Sequence, residues 1–116
     1  MNPERDIVES SARILVVDDE PEVLDTVTAM LRHDGHKTFP AGSAHQALDL
    51  LDREDFDLVI TDLKMPEMDG LQLLTEISKL PIRVTTIVLT AHGNVAQAVE
   101  ANTMITMVAA TSLSLA

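Results

Sequence analysis

A chain of 116 residues is the size of one ordinary domain, and its 46% apolar residues suffice for a single shared core. With two Phe, no Tyr and no Trp that core must be aliphatic, and with no cysteine the chain has no disulfide, zinc-thiolate site or catalytic thiol. A formal charge of −11 disfavours direct binding to nucleic acid or to an anionic membrane; it suits cations or a basic partner surface, though most of these acids serve only to keep the domain soluble.

Residues 1–12 (MNPERDIVESSA) have no apolar stretch of the kind a secretion signal needs and read as a flexible leader. No segment reaches the roughly 18 apolar residues that cross a bilayer, so the expected location is the cytoplasm. Arg13–Asp18 (RILVVD) is a β-branched run that ends in acids. Pro21 opens a helix at a position where its missing N–H costs nothing, with Val23, Val27, Met30 and Leu31 on one face and Gly35 as a stop. His36–Ala41 is a weaker strand. Ser43 then caps a helix whose buried stripe is Ala44, Ala47, Leu48 and Leu51, with Gln46 as capping-box partner. Phe56–Thr61 (FDLVIT) is the third strand and runs into Asp62; Pro66 to Gly70 is turn chemistry, with Asp69 as N-cap. Leu71, Leu74 and Ile77 mark a third helix, which Pro81 separates from the strand Val84–Thr90 (VTTIVLT). Gly93 and Asn94 open a fourth helix with Val95, Ala98 and Val99 inward, and Ile105–Ala109 supplies a fifth strand.

Strands alternating with helices imply a parallel sheet covered on both faces, and near-continuous apolar strands agree with that. In such sheets sites form beyond the carboxyl ends of the strands, where strand order reverses. Here those ends carry Asp18, Asp19 and Glu20 after the first strand, Asp62 after the third and Thr90 at the end of the fourth. Converging carboxylates repel: two unit charges 4 Å apart cost roughly 4 kcal/mol at an effective dielectric of 20. Protonation or a bound cation relieves this, and a few hard oxygen ligands suit Mg²⁺. A metal-neutralised Asp facing an electrophilic phosphorus is a reasonable nucleophile, so the chemistry expected is phosphoryl transfer to a carboxylate. The histidines His33, His36, His45 and His92 have no metal-ligand spacing and are expected at the surface.

The blocks ILVVDDEPEVL, VITDLKMPEMDGLQLL and VLTAHG, in this order over about residues 13–101, resemble the three signature blocks of two-component response-regulator receivers. TAHG is similar to receivers of the nitrogen-regulatory type, which usually precede an ATPase and a DNA-binding domain. The resemblance implies an α/β, flavodoxin-like, doubly wound parallel sheet with strand order 2-1-3-4-5. It implies that Asp62 is the phosphoacceptor and that Asp19, Asp18, Asp62 and the backbone carbonyl of Lys64 hold Mg²⁺ (or Mn²⁺). Thr90 becomes the switch hydroxyl, and Ala91 the small residue that leaves room for phosphoryl oxygens. The donor would be the phosphohistidine of a sensor histidine kinase. The domain would act as a switch that assists its own phosphorylation rather than as a free-standing enzyme.

The chain also departs from the pattern. Receivers carry a lysine just after the fifth strand, expected here near Ser112, yet no lysine or arginine follows Arg83, and the aromatic residue expected on the fifth strand is missing. The segment 102–116 (NTMITMVAATSLSLA) has no charge and no periodicity for a fifth helix. It reads as a truncated or replaced ending, TMIT resembling vector-encoded reporter sequence, with a natural degenerate ending as the alternative. The domain is therefore divided into a leader (1–12), a receiver core (13–101) and an atypical tail (102–116), with the fold incomplete or altered at strand 5 and helix 5. Uncovered apolar surface and an open sheet edge then predict a homodimer or domain-swapped oligomer. The missing lysine supports a second reading, a pseudo-receiver that works only as an interaction module. A Mg²⁺-dependent aspartyl phosphatase is disfavoured, because the second acid expected two residues after the nucleophile is Lys64.

Overall fold

The computed structural model describes residues 11–90 and the strand at 106–113. Elements follow in the order β1 (Arg13–Val17), α1 (Pro21–His33), β2 (Lys37–Ala41), α2 (Ala44–Arg53), β3 (Leu58–Asp62), α3 (Gly70–Ser78), β4 (Arg83–Thr90) and β5 (Thr106–Leu113). The sheet has the order β2-β1-β3-β4-β5, and β1 to β4 pair in parallel. This is the flavodoxin-like arrangement expected for the first four strands, flanked by helices on both faces.

Period-two alternation sorts each strand between the two faces. Leu15, Val17, Ala41, Val59 and Val84 point to one side and pack with Ala44, Ala47 and Leu51 of α2 and with Leu73 and Ile77 of α3. Leu15, Leu73 and Ile77 are fully buried, and each such side chain stabilises the fold by roughly 1.5–3 kcal/mol. On the other side Ile14 and Val16 are buried, and the Thr38 hydroxyl donates to the Thr28 carbonyl of α1. Leu58, Ile60, Ile87 and Leu89 are only half-buried. The two phenylalanines meet edge to face at 5.3 Å, under the Arg13 guanidinium, which lies 4.6 Å from the Phe39 ring.

Local chemistry sets the helix ends. Pro21 stands in the first turn of α1, and Gly35 follows the helix at φ +95, a conformation that glycine adopts without steric penalty. Ser43 caps α2 by accepting from the Gln46 amide, while the Gln46 side chain accepts from Gly42 instead of closing the box on Ser43. The complete capping box is at α3, between Asp69 and Gln72. That cap sets the phase of α3: Gly70, Leu73 and Ile77 face inward, whereas Leu71, expected on the buried stripe, is exposed and Leu74 half-buried. In α1 the inward side is Leu24, Val27, Thr28 and Leu31, and Val23 and Met30 are exposed.

The largest departure is β5. It pairs with β4 antiparallel, Thr90 opposite Thr106 and Arg83 opposite Leu113, where a parallel strand was expected. Antiparallel pairing only requires residues 91–105 to return the chain to the end of the sheet where β4 stops. A parallel strand would have to begin beside Arg83, across the full length of the sheet. The fourth helix expected from Gly93 lies outside the described residues, as does the leader through residue 10.

Candidate functional site

The β1/β3 junction is where strand order reverses, since β1 connects onward to β2 on one side while β3 and β4 continue on the other. Val17 pairs with Thr61, so the residues that follow each strand emerge side by side. Asp18, Asp19 and Asp62 each offer a carboxylate oxygen, and these oxygens lie within 4.8 Å of one another. Two strand ends from separate parts of the chain thus bring together the acids expected to converge.

Their environments differ. Asp18 is 9% exposed and Asp19 lies open to solvent. One Asp18 oxygen accepts from the Glu20 amide at 2.9 Å, which shapes the turn into α1. Asp18 therefore has the turn-capping role as well as a place in the cluster. Burial is the main force raising the Asp18 carboxyl above its ordinary value; the charges of Asp62, Asp19 and Glu20 act the same way, and the Glu20 amide opposes them. Asp62 is also raised, first by burial and then by the charges of Asp19 and Glu20, with the nearby backbone amides of Leu63 and Lys64 acting in the opposite direction. Among the described residues no lysine or arginine side chain forms an ion pair with any of the three acids.

The loop after Asp62 is held from below. Leu63 donates to Leu89 of β4 at 2.9 Å, and Gly70 donates back to Leu63 at 2.8 Å. A Cβ on Gly70 would overlap the Asp62 carbonyl oxygen and press on Leu63 Cα at 3.1 Å, so only glycine permits this close approach. Glu67, between the site and α3, has φ 67, a left-handed conformation that nothing in its residue type announces. Lys64 is exposed, and among the described residues no donor takes its carbonyl. Thr90 ends β4 one residue beyond Leu89, the partner of Asp62, and Ala91 lies outside the described residues. His36, expected at the surface, is half-buried and accepts from the Ala12 amide at 3.0 Å.

The position expected for the phosphate-pairing lysine is far from this cluster. Ser112 pairs with Val84, whereas Asp62 pairs with Leu89. Five residues of strand separate those rungs, roughly 16 Å at about 3.3 Å per residue. Reversing β5 carried that position to the opposite end of the sheet.

Donor chemistry and spacing fit a small hard cation: all three groups are carboxylates close together, Asp18 and Asp62 are partly desolvated, and no cationic side chain among the described residues pairs with them. The sequence from 14 to 108 matches the response regulator receiver domain. The chain belongs to that family. This receiver is 44% identical to the transcriptional regulatory protein GlrR of Escherichia coli (strain K12) over 90 residues, which is 78% of this chain and 20% of GlrR. It thus spans about a fifth of the length of that relative. It is 35% identical over 81 residues to sporulation initiation phosphotransferase F of Bacillus subtilis (strain 168), covering 70% of this chain and 65% of that one. Among solved structures it is similar to the response regulator protein TrrA of Thermotoga maritima, solved in complex with Mg(2+)-BeF, with a TM-score of 0.56 at 39% identity over 58% of each chain. Receivers are signalling phosphoacceptors that work with histidine kinases. Among the described residues no helix is long and apolar enough to cross a membrane.

Proposed function

We propose that this receiver accepts a phosphoryl group on Asp62 from the phosphohistidine of a sensor histidine kinase, in a transfer that depends on Mg²⁺ or Mn²⁺. The observation that carries this reading is the meeting of the Asp18, Asp19 and Asp62 oxygens at the β1/β3 junction, within 4.8 Å. Asp18, Asp19, Asp62 and the carbonyl of Lys64 would hold the cation, which neutralises charge on the transferring group when bound. The nearby Leu63 and Lys64 amides favour the carboxylate form of Asp62. An Asp62 oxygen forms the new bond to phosphorus as the phosphorus–nitrogen bond of the donor breaks. Thr90, one residue past the rung of Asp62, would supply a hydroxyl to a phosphoryl oxygen, and Ala91 would leave space for it. The similar TrrA, solved with Mg(2+)-BeF, supports the cation assignment.

A second reading, an interaction module without productive phosphorylation, is favoured by one observation. Ser112, where the lysine is expected, stands opposite Val84 at the far end of the sheet. Without that cationic partner, charge stabilisation of the transferring group rests on the cation and backbone amides, which predicts slow transfer.

Incubation with Mg²⁺ and acetyl phosphate, followed by intact mass measurement, separates the readings. One phosphoryl adduct is expected, absent in Asp62→Asn and absent with a chelator. A folded, metal-binding wild-type chain that forms no adduct would establish the interaction module instead.

A further inference from the structure

The two edges of the sheet are built differently. At the β2 edge, Lys37 and Pro40 are exposed, and Pro40 has no N–H to offer a neighbouring strand. The Arg32 guanidinium also takes the Thr38 carbonyl at 3.0 Å. A charge, a proline and a capped carbonyl are devices that keep edge strands from recruiting other chains. The β5 strand carries neither the charge nor the proline. Its sequence, TMVAATSL over Thr106–Leu113, contains no charge, no proline and no glycine. Indeed the last charged side chain in the chain is Glu100. Among the described residues β5 pairs only with β4, and no described strand takes its second row of backbone groups.

We propose that the β5 edge pairs with β5 of a second copy of this chain, joining two five-stranded sheets into one continuous sheet. The occupant follows from symmetry and charge. Two copies related by a two-fold axis perpendicular to the sheet bring the same strand together antiparallel, an arrangement that any strand can make with itself. The whole chain carries −11, so close approach of two copies is unfavourable over most of the surface. The charge-free segment from residue 101 onward is where that repulsion is weakest. The half-buried apolar residues Ile87 and Leu89 on neighbouring β4 extend the low-charge region inward from the edge. An edge of eight residues buries far less than the roughly 1,600 Å² of a standard stable interface. The dimer is accordingly weak, reversible and dependent on concentration.

The chain has no cysteine, so single cysteines report contacts without background. Met107→Cys, Val108→Cys, Ala109→Cys, Ala110→Cys and Thr111→Cys sample the strand; Lys37→Cys samples the other edge, and Met30→Cys samples the exposed side of α1. Each full-length variant with unchanged circular dichroism is oxidised, and the cross-linked dimer is quantified. Sedimentation velocity of the unmodified chain over a concentration series gives the oligomeric state independently. The expected result is a monomer–dimer equilibrium, with cross-linking that peaks sharply at one or two β5 positions and falls severalfold on either side and at both controls. Disulfide geometry accepts only a narrow range of Cα separations, so the peak marks the two-fold axis. A monomer at every concentration would overturn the proposal. So would a dimer that cross-links best through Met30→Cys or Lys37→Cys, or equally at every β5 position.

Discussion

Burial and the neighbouring carboxylates disfavour the charged forms of Asp18 and Asp62. The consequence for stability has a definite sign. A carboxyl whose pKa is raised by folding binds its proton more tightly in the native state. Its contribution is therefore most favourable below the ordinary value of 3.8 and is lost as pH rises from there through the raised native value. Asp62→Asn removes one of the opposed charges, so the metal-free variant should melt above the wild type at pH 7, by about 1 kcal/mol of stability. The difference should shrink as pH falls toward 4, and Mg²⁺ should close it by stabilising only the wild type. Thermal melts of both proteins across pH, with and without Mg²⁺, check all three expectations. Gly70 makes a separate residue-scale prediction. Because a Cβ there meets Asp62 backbone, Gly70→Ala should cost about 1–3 kcal/mol, read from the denaturant midpoint. It should also slow phosphorylation by displacing the Asp62 loop. The acids of this site were legible in the sequence because each follows an apolar strand. The left-handed conformation of Glu67 in the loop after Asp62 was not, since nothing in a glutamate announces it.

At the scale of elements, strands β1, β3 and β4 declared themselves as apolar runs, and α2 as a regular stripe behind Ser43. The phase of α3 is ambiguous in the sequence because Leu71, Leu73 and Leu74 offer two overlapping stripes in one short helix, and the Asp69–Gln72 cap selects between them. In α1, Val23 and Met30 are apolar yet exposed, so a periodic match alone did not identify the inward face. The direction of β5 could not be read at all: β-propensity and alternation are the same for either direction, and the path of the connecting residues decides. Ser112→Lys tests that reversal. A lysine opposite Val84 is beyond reach of Asp62, so this variant should leave the phosphorylation rate unchanged in an acetyl phosphate time course. A large acceleration would mean that β5 runs the other way. Within β4 the Thr86 hydroxyl is buried without a hydrogen-bond partner among the described residues. Thr86→Val keeps the shape and removes the unsatisfied group, and should raise stability by about 1 kcal/mol in chemical denaturation.

For the whole molecule, the first four strands and three helices bring together the three carboxylates of the proposed cation site, and β5 rearranges the rest. The acids of β1 and β3 meet because the parallel core is intact. The lysine position is lost from the site because the fifth strand runs back along β4. These two facts make separate demands, a working cation-assisted nucleophile on one side and slow transfer on the other. Borohydride reduction followed by peptide mass spectrometry tests the nucleophile most directly, because reduction converts an aspartyl phosphate to homoserine and so marks the residue that carried the group. After incubation with Mg²⁺ and acetyl phosphate, the account predicts the reduced residue at position 62 and nowhere else. Homoserine at position 18 or 19, or no reduced aspartate in a folded, metal-bound chain, would contradict it.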